Sequence, residues 1–104
     1  MLAMTGTIHA AGSIPGLGEL CRGIRRTHEH LLLAVDQMLV FLPAVGTVLV
    51  TEKDRDVTVD VVADTHAELS TRVALVEAAL RSTLPLSSLR LDWRKAGAIP
   101  VPFR

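Results

Sequence analysis

The sequence predicts an α+β fold, a two-layer sandwich in which two helices cover one face of a mainly antiparallel sheet of three or four strands. Changes in the spacing of the apolar residues carry this prediction. Residues 45–64 alternate like two strands broken at Lys53-Asp54-Arg55, residues 65–84 repeat at helical spacing, and residues 89–94 alternate again. With a first strand at residues 4–10 and a helix after it, the element order is β-α-β-β-α-β, which is the ferredoxin-like order.

The first strand and the first helix precede this unit. Residues 4–10 (MTGTIHA) predict a strand that Gly6 weakens, and the Gly- and Pro-rich residues 11–18 predict a loop. A long helix is expected from Leu17 to Leu42, and Pro43 would end it. The helix is predicted because apolar residues and one histidine recur every three or four positions: Leu20, Ile24, His28, Leu31, Val35, Met38 and Leu42.

The later elements each present one apolar side. Thr65 and Glu68 have the spacing of a capping box that begins the second helix, and Pro85 would end that helix. Ion pairs are expected on its outer face, Glu68 with Arg72 and Glu77 with Arg81. Alternation then places one set of strand side chains toward the helices: Val48, Val50, Val57, Val59, Val61, Leu89, Leu91 and Trp93.

Length, charge and cysteine content narrow the class of protein. A chain of 104 residues predicts one domain, here residues 1–95, followed by an extended tail at 96–104 that contains two prolines. The net charge is zero, and the hairpin carries no aromatic residue on which bases could stack, so no nucleic-acid partner is expected. A lone cysteine and the absence of a basic leader predict a cytoplasmic protein.

The apolar run from Leu31 to Val50 leaves a second interpretation open. Asp36 is its only charge, so the run could contact or cross a membrane. A central aspartate costs about 2.5–3.5 kcal/mol on insertion, and Pro43 and Gly46 interrupt the run. A helix followed by a buried strand is therefore the favoured interpretation of the same letters.

The histidines and the cysteine do not predict a metal or cofactor site. On a helix, His28 and His30 would lie about 200° apart, whereas helical metal ligands share one side. Cys21 and His28 would be two turns apart, about 10 Å, which is too far for a nucleophile and its base. Cys21 is therefore expected to be a small core residue.

An enzyme is the less favoured alternative, because the sequence pairs no nucleophile with a base. The remaining route to catalysis is a cofactor-independent enzyme of ferredoxin-like fold that uses one histidine. His9 would emerge on the open face of the sheet for this role, and His66 would stand at the start of the second helix.

Self-association is the favoured function, that of a small non-enzymatic interaction module. The second half of the long helix would be apolar on at least two sides, so Leu33, Val40 and Phe41 would stand in water unless a partner covered them. These three residues are the predicted interface of a homo-oligomer or of a complex with another protein. Burial of such a side chain stabilises by about 1.5–3 kcal/mol.

Residues 14–20 (IPGLGEL) resemble, over seven residues, the strand-to-helix turn of ACT regulatory domains. The resemblance implies a β-α-β-β-α-β domain that binds amino acids or another small metabolite between paired subunits. Ser13 and Ile14 stand where those domains usually have an acidic residue before the proline. A ligand-binding regulatory domain is therefore the other alternative function.

Overall fold

The structure is a computed structural model that describes residues 1–10, 15–54, 56–83 and 89–103. Residues 11–14 of the predicted loop at 11–18, the start of the ACT-like turn, Arg55 and the predicted helix end at Pro85 lie outside these residues. The prediction of a loop is wrong for residues 15–18, which are the first residues of a helix. The described chain contains, in order, β1 (Leu2–Ala10), α1 (Pro15–Thr27), β2 (Glu29–Ala34), β3 (Gln37–Leu42), β4 (Gly46–Glu52), β5 (Asp56–Ala63), α2 (His66–Thr83) and β6 (Leu89–Lys95).

The strands form one sheet in the order β2-β3-β4-β5-β1-β6, and every neighbouring pair is antiparallel. The predicted α+β class is confirmed, and the first strand at residues 4–10 is present and begins two residues earlier. The sheet has six strands where three or four were predicted, because two more strands, β2 and β3, stand between the first helix and the predicted hairpin.

The core lies between the sheet and the two helices. Strand side chains that alternate toward the helices are almost fully buried, and Val57 and Val59 have no exposed surface. Leu20 and Ile24 of α1 and Val76 of α2 close the layer from above. β-branched residues at period two suit this surface, because their stiff side chains pack on a pleated sheet with little loss of rotamer freedom.

The predicted helix from Leu17 to Leu42 is wrong beyond residue 27. Helix α1 ends at Thr27, whose hydroxyl donates a hydrogen bond to the carbonyl of Gly23 at 2.7 Å, and His28 N donates to Ile24 O at 3.0 Å. Arg25 and Arg26 occupy the last turn, where positive charge interacts favourably with the helix dipole. The chain then turns back as the hairpin β2–β3.

The hairpin explains why the helical interpretation failed. Met38, Val40 and Leu42 alternate at period two and point into the core, while the leucines at 31–33 fit either period. Val35 and Asp36 form the turn that separates the two strands, and Leu33 is an extra residue, a bulge, in the pairing of β2 with β3. Pro43, predicted to end a helix, instead begins the turn into β4.

Residues 43–45 connect β3 to β4 in a tight turn. Val45 N donates to Leu42 O at 3.2 Å, which closes the turn. Ala44 and Gly46 both have positive φ, 64° and 97°. Glycine adopts this conformation without steric cost, which accounts for Gly46 at the start of β4.

Helix α2 follows its sequence signals closely. Thr65 Oγ1 accepts a hydrogen bond from Glu68 N at 3.1 Å, which is half of the predicted capping box. The ion pairs predicted on the outer face are present, Arg72 with Glu68 at 2.6 Å and Arg81 with Glu77 at 3.8 Å. Arg72 also donates to Val62 O at 2.7 Å and so ties the helix to the end of β5.

Residues 31–50, the apolar run considered as a membrane span, form β2, β3 and β4 rather than one helix. Among the described residues, no helix has the length and hydrophobicity needed to cross a membrane. After β6 the tail stays close to the sheet, since Ala96 N donates to Ala3 O at 3.1 Å. Phe103 N donates to Pro100 O at 2.9 Å, so the tail predicted to be extended contains a turn.

Candidate functional site

Exposed apolar side chains concentrate on the hairpin β2–β3. Of the eight large hydrophobic residues that are exposed within the described chain, five lie between positions 31 and 41. Their exposed fractions are 54% for Leu31, 58% for Leu32, 41% for Leu33, 99% for Val35 and 40% for Phe41. We call these five residues the hairpin patch.

The hairpin patch lies on both faces of the sheet. Leu32 pairs with Met38, a core residue, so its side chain is on the helix side. Leu31 pairs with Leu39, and Phe41 pairs with Glu29 and Thr47, on the face turned away from the helices. A molecule that packed on one face alone would leave half of the patch in water.

Two rows of apolar side chains cross the sheet and continue as far as β2, the strand at its edge. On the face away from the helices, Leu49 lies opposite Leu39 and Leu39 opposite Leu31. Leu49 is buried, Leu39 is half-buried and Leu31 is exposed, so burial falls steadily toward β2. The helix-side row does the same, in strand order: Val59, Val50, Met38 and Leu32.

The two edges of the sheet differ in chemistry. The β6 edge carries Arg90, Asp92, Arg94 and Lys95, and such charges discourage pairing with another strand. The β2 edge carries three consecutive leucines, and Glu29 is its only acidic or basic residue apart from His30. Edge strands usually carry such charges, and an apolar edge strand without them is open to pairing with another strand.

A broad depression of about 610 Å³ lies at the start of β2. It is lined by the end of α1, by residues 28–30 and by Phe41, and Arg26 brings a positive charge to it. Within it, His28 Nδ1 is 2.9 Å from Thr27 Oγ1, and His30 Nδ1 is 3.3 Å from the carbonyl of His28. Among the described residues, no group of three or more His, Cys, Asp or Glu side chains is placed to hold a metal ion.

His9 does emerge on the face away from the helices, as the single-histidine alternative requires. Its Nε2 atom is 3.6 Å from Asp92 Oδ2, and Arg90 Nε is 3.4 Å from the same oxygen. Asp56 lies opposite His9 in the register, and its Oδ1 atom is buried with no hydrogen-bond partner among the described residues. Catalysis by His9 stays a prediction, as does any role of the exposed His66 at the start of α2.

A groove of about 440 Å³ lies at the opposite end of the molecule. Residues 1–4, the start of α2 and residues 95–99 line it. Its size is within the range of small-molecule sites. Binding of a small metabolite, the function implied by the ACT-like turn, stays a prediction.

Cys21 is a core residue, as its sequence position predicts, and its side chain is buried beneath α1. Burial raises the pKa of its thiol to about 11, and the nearby charge of Glu52 adds to the shift, while Arg25 and Arg22 oppose it. A thiol held in its protonated form is a poor nucleophile.

Of the predicted interface residues, the structure exposes Leu33 and Phe41 and buries Val40. Val40 is 1% exposed and packs against Val48 in the core, so the expectation that it would stand in water is wrong. The sequence interpretation missed Leu31, Leu32 and Val35, which a helix would have placed on its inner stripe or its flank. Residues 38–42 are all apolar, so no alternation in the sequence marks this strand; the signal that could have identified it is a short apolar run bounded by Asp36-Gln37 on one side and by Pro43 and Gly46 on the other.

Comparison with known proteins bears on the fold alone. No family model matches the chain, and no curated protein matches it. The NMR structure of PA4090 from Pseudomonas aeruginosa is similar to it, with a TM-score of 0.54 and 14% sequence identity. The likeness covers 90% of this chain and 96% of that one, so the α+β architecture is shared over nearly the whole length.

Proposed function

We propose that this protein is a small assembly module that self-associates through the hairpin patch. The observation that carries the proposal is the concentration of five of eight exposed large hydrophobic residues within eleven positions. Large exposed apolar patches are rare on monomeric soluble proteins, and they usually mark interaction sites. The homo-oligomer expected from the sequence is kept, and its interface moves from a helix to a strand hairpin.

The position of the hairpin in the fold supports this role. Without β2 and β3 the element order would be β-α-β-β-α-β, and the sheet order would be β4-β5-β1-β6. We infer that the fold is a ferredoxin-like sandwich to which this hairpin has been added at one edge. The inner strand of this addition, β3, joins the core through Met38, Val40 and Leu42, while its outer strand, β2, stays at the edge of the sheet, where the patch can meet a partner.

The free energy gained by burying the hairpin patch is comparable to the cost of association. Completing the burial of a half-exposed leucine stabilises by about 1 kcal/mol, roughly half of the value for a full side chain. Two copies bring ten such side chains, which together give about 10 kcal/mol. That gain is of the same order as the estimated cost of association, about 4–15 kcal/mol.

Substitution of a leucine on the hairpin tests the proposal. Leu33→Glu should raise the dimer dissociation constant at least about tenfold, because a charged side chain would have to leave water on association. Light scattering at tens of micromolar should show a dimer for the wild type and a monomer for the variant. Leu75→Glu is the matched control, because Leu75 on α2 has a similar exposure, 38%, and lies away from the hairpin.

A wild-type chain that is monomeric at this concentration would contradict the proposal. So would equal loss of association in the Leu33 and Leu75 variants, because that result would place the interface elsewhere or attribute the effect to charge in general. Circular dichroism of both variants should show unchanged secondary structure, since both replaced side chains are substantially exposed.

A further inference from the structure

We propose that the partner is a second copy of this chain and that the two β2 strands pair antiparallel about a two-fold axis that passes through Leu31. The two six-stranded sheets would then become one continuous sheet of twelve strands. The inference rests on the proposed self-association and adds the geometry of the contact.

The open backbone of β2 favours a strand as the occupant. β2 ends the sheet and has β3 as its single strand neighbour among the described residues. Its outer N–H and C=O groups gain hydrogen bonds when another strand is added, as in other complexes built by strand addition. A lipid surface supplies no such groups and would cover only one side of the hairpin.

The two-sided distribution of the patch favours the same geometry. Pairing through the edge covers Leu31 on one face and Leu32 on the other at the same time. It also continues the row of Leu49, Leu39 and Leu31 into Leu31, Leu39 and Leu49 of the second copy. Cross-strand apolar pairs of this kind stabilise a sheet as they do inside one chain.

Leu31 is the residue of β2 at which the two-fold axis fits best. An axis at His30 would place two imidazoles side by side, and an axis at Leu32 would draw the bulge at Leu33 into the centre of the ladder. With Leu31 on the axis, His30 lies opposite Leu32 of the second copy. The regular part of β2, residues 29–32, then forms the middle of the contact.

The two ends of the contact are complementary in shape and charge. Beyond the paired residues of β2, this register carries the turn at Val35 and Asp36 of each copy toward the end of α1 in the other. There the depression at the start of β2 can receive the fully exposed Val35. In this pairing Arg26, which lines the depression together with Glu29, approaches Asp36 of the second copy, and all three side chains are exposed in the single chain.

Disulfide cross-linking tests the axis. Residues directly opposite each other in an antiparallel pair have Cα atoms about 4.5–5.5 Å apart, which is within the range of a disulfide. Leu31→Cys should therefore form a covalent dimer under mild oxidation. Val35→Cys is the control, because two Val35 residues would be about 26 Å apart, eight strand positions at about 3.3 Å each. The wild type controls for Cys21, which is buried.

Charge reversal tests the ends independently. Arg26→Glu and Asp36→Arg should each weaken the dimer about tenfold or more, because each places like charges opposite one another. The chain with both substitutions should regain most of the affinity, since the pair is restored with its signs exchanged. Sedimentation equilibrium at low salt measures the dissociation constants of all four chains.

The outcomes separate the geometry from the function. A wild-type dimer in which Leu31→Cys does not cross-link, or in which the double reversal is no better than the single ones, would overturn the Leu31-centred pairing and leave self-association standing. A monomeric wild type would overturn both. Wild-type chains that bind lipid vesicles yet stay monomeric would assign the patch to a membrane surface and would also overturn the pairing.

Discussion

At the scale of single residues, Gly6 and Trp93 fit closely against each other in the sheet. They lie opposite each other on β1 and β6, and a Cβ atom at position 6 would be 2.9–3.0 Å from three carbons of the Trp93 ring. The indole occupies the space that the missing side chain leaves, and its Nε1 atom is 3.3 Å from Glu77 Oε1 on α2. Aromatic coverage of a strand glycine is a recognised way of stabilising a sheet.

Gly6→Ala should displace this ring. The indole of Trp93 is too bulky to move without loss of packing, so we expect the free energy of unfolding to fall by about 1–3 kcal/mol. Trp93 is the only tryptophan, and its fluorescence should shift as the ring leaves its site beside Glu77. Gly97→Ala is the control, because nothing lies within 4 Å of its Cβ position, and its stability should stay within about 0.5 kcal/mol of the wild type.

Cys21 makes stability depend on pH at the alkaline end. Burial, with the charge of Glu52, raises its pKa from 9.0 to about 11, so the folded chain holds the thiol proton more tightly than the unfolded chain does. This stabilisation is complete below about pH 9 and is lost as the pH rises through 11. The free energy of unfolding should therefore fall across this range, by at most about 1.4 kcal/mol per pH unit.

Urea denaturation at several pH values measures this slope. Cys21→Ala should be less stable at neutral pH because it loses packing, yet its stability should be flatter between pH 9 and 11. The chain has no tyrosine, and Lys53 and Lys95 are common to both proteins, so the difference between the two slopes reports the thiol. Equal slopes would show that the thiol is not buried as described.

At the scale of elements, the hairpin β2–β3 divides two neighbouring residues between opposite roles. Val40 points into the core, and Phe41, the next residue, is 40% exposed on the face away from the helices. Strand alternation alone separates them, since successive side chains of a strand point to opposite faces. In a helix the two positions would have been equally available to a partner.

Val40→Lys and Phe41→Lys should therefore behave differently. A lysine at position 40 would place an unpaired charge among Val48, Met38 and Ile24, and we expect it to lower the free energy of unfolding by more than about 3 kcal/mol. A lysine at position 41 can reach water, so the chain should stay folded while its self-association weakens. Thermal unfolding followed by circular dichroism distinguishes them. Similar stability of both variants would contradict the hairpin.

At the scale of the whole molecule, the unlike edges of the sheet determine how large an assembly can become. The β2 edge is apolar and the β6 edge is charged, so one edge favours pairing and the other opposes it. A two-fold contact uses the β2 edge of both copies, so no β2 edge stays free for a third copy. The light-scattering mass should accordingly stay at two chains as the concentration rises, because no further copy can join at β6.

The sequence by itself determined the elements whose period is unambiguous and whose ends are marked. The hairpin β4–β5, the capped helix α2 and the alternating β6 could all be located in advance, because β-branched alternation and a capping box act locally. The apolar excess around residues 31–41 was also visible in the sequence, and it correctly predicted that Leu33 and Phe41 would be exposed.

Only the tertiary structure decided what those residues form and which of them face outward. Leucine favours a helix by itself and a short apolar run has no clear period, so the pairing of β3 with β4 decided that residues 29–42 contain a hairpin. The same pairing buried Val40 and left β2 at the edge, and β1 lies between β5 and β6 through its own pairing with both. Strand order depends on contacts between distant residues, and no local pattern records them. The sequence therefore indicated that the chain has an exposed apolar surface, and the pairing of the strands determined which residues form it.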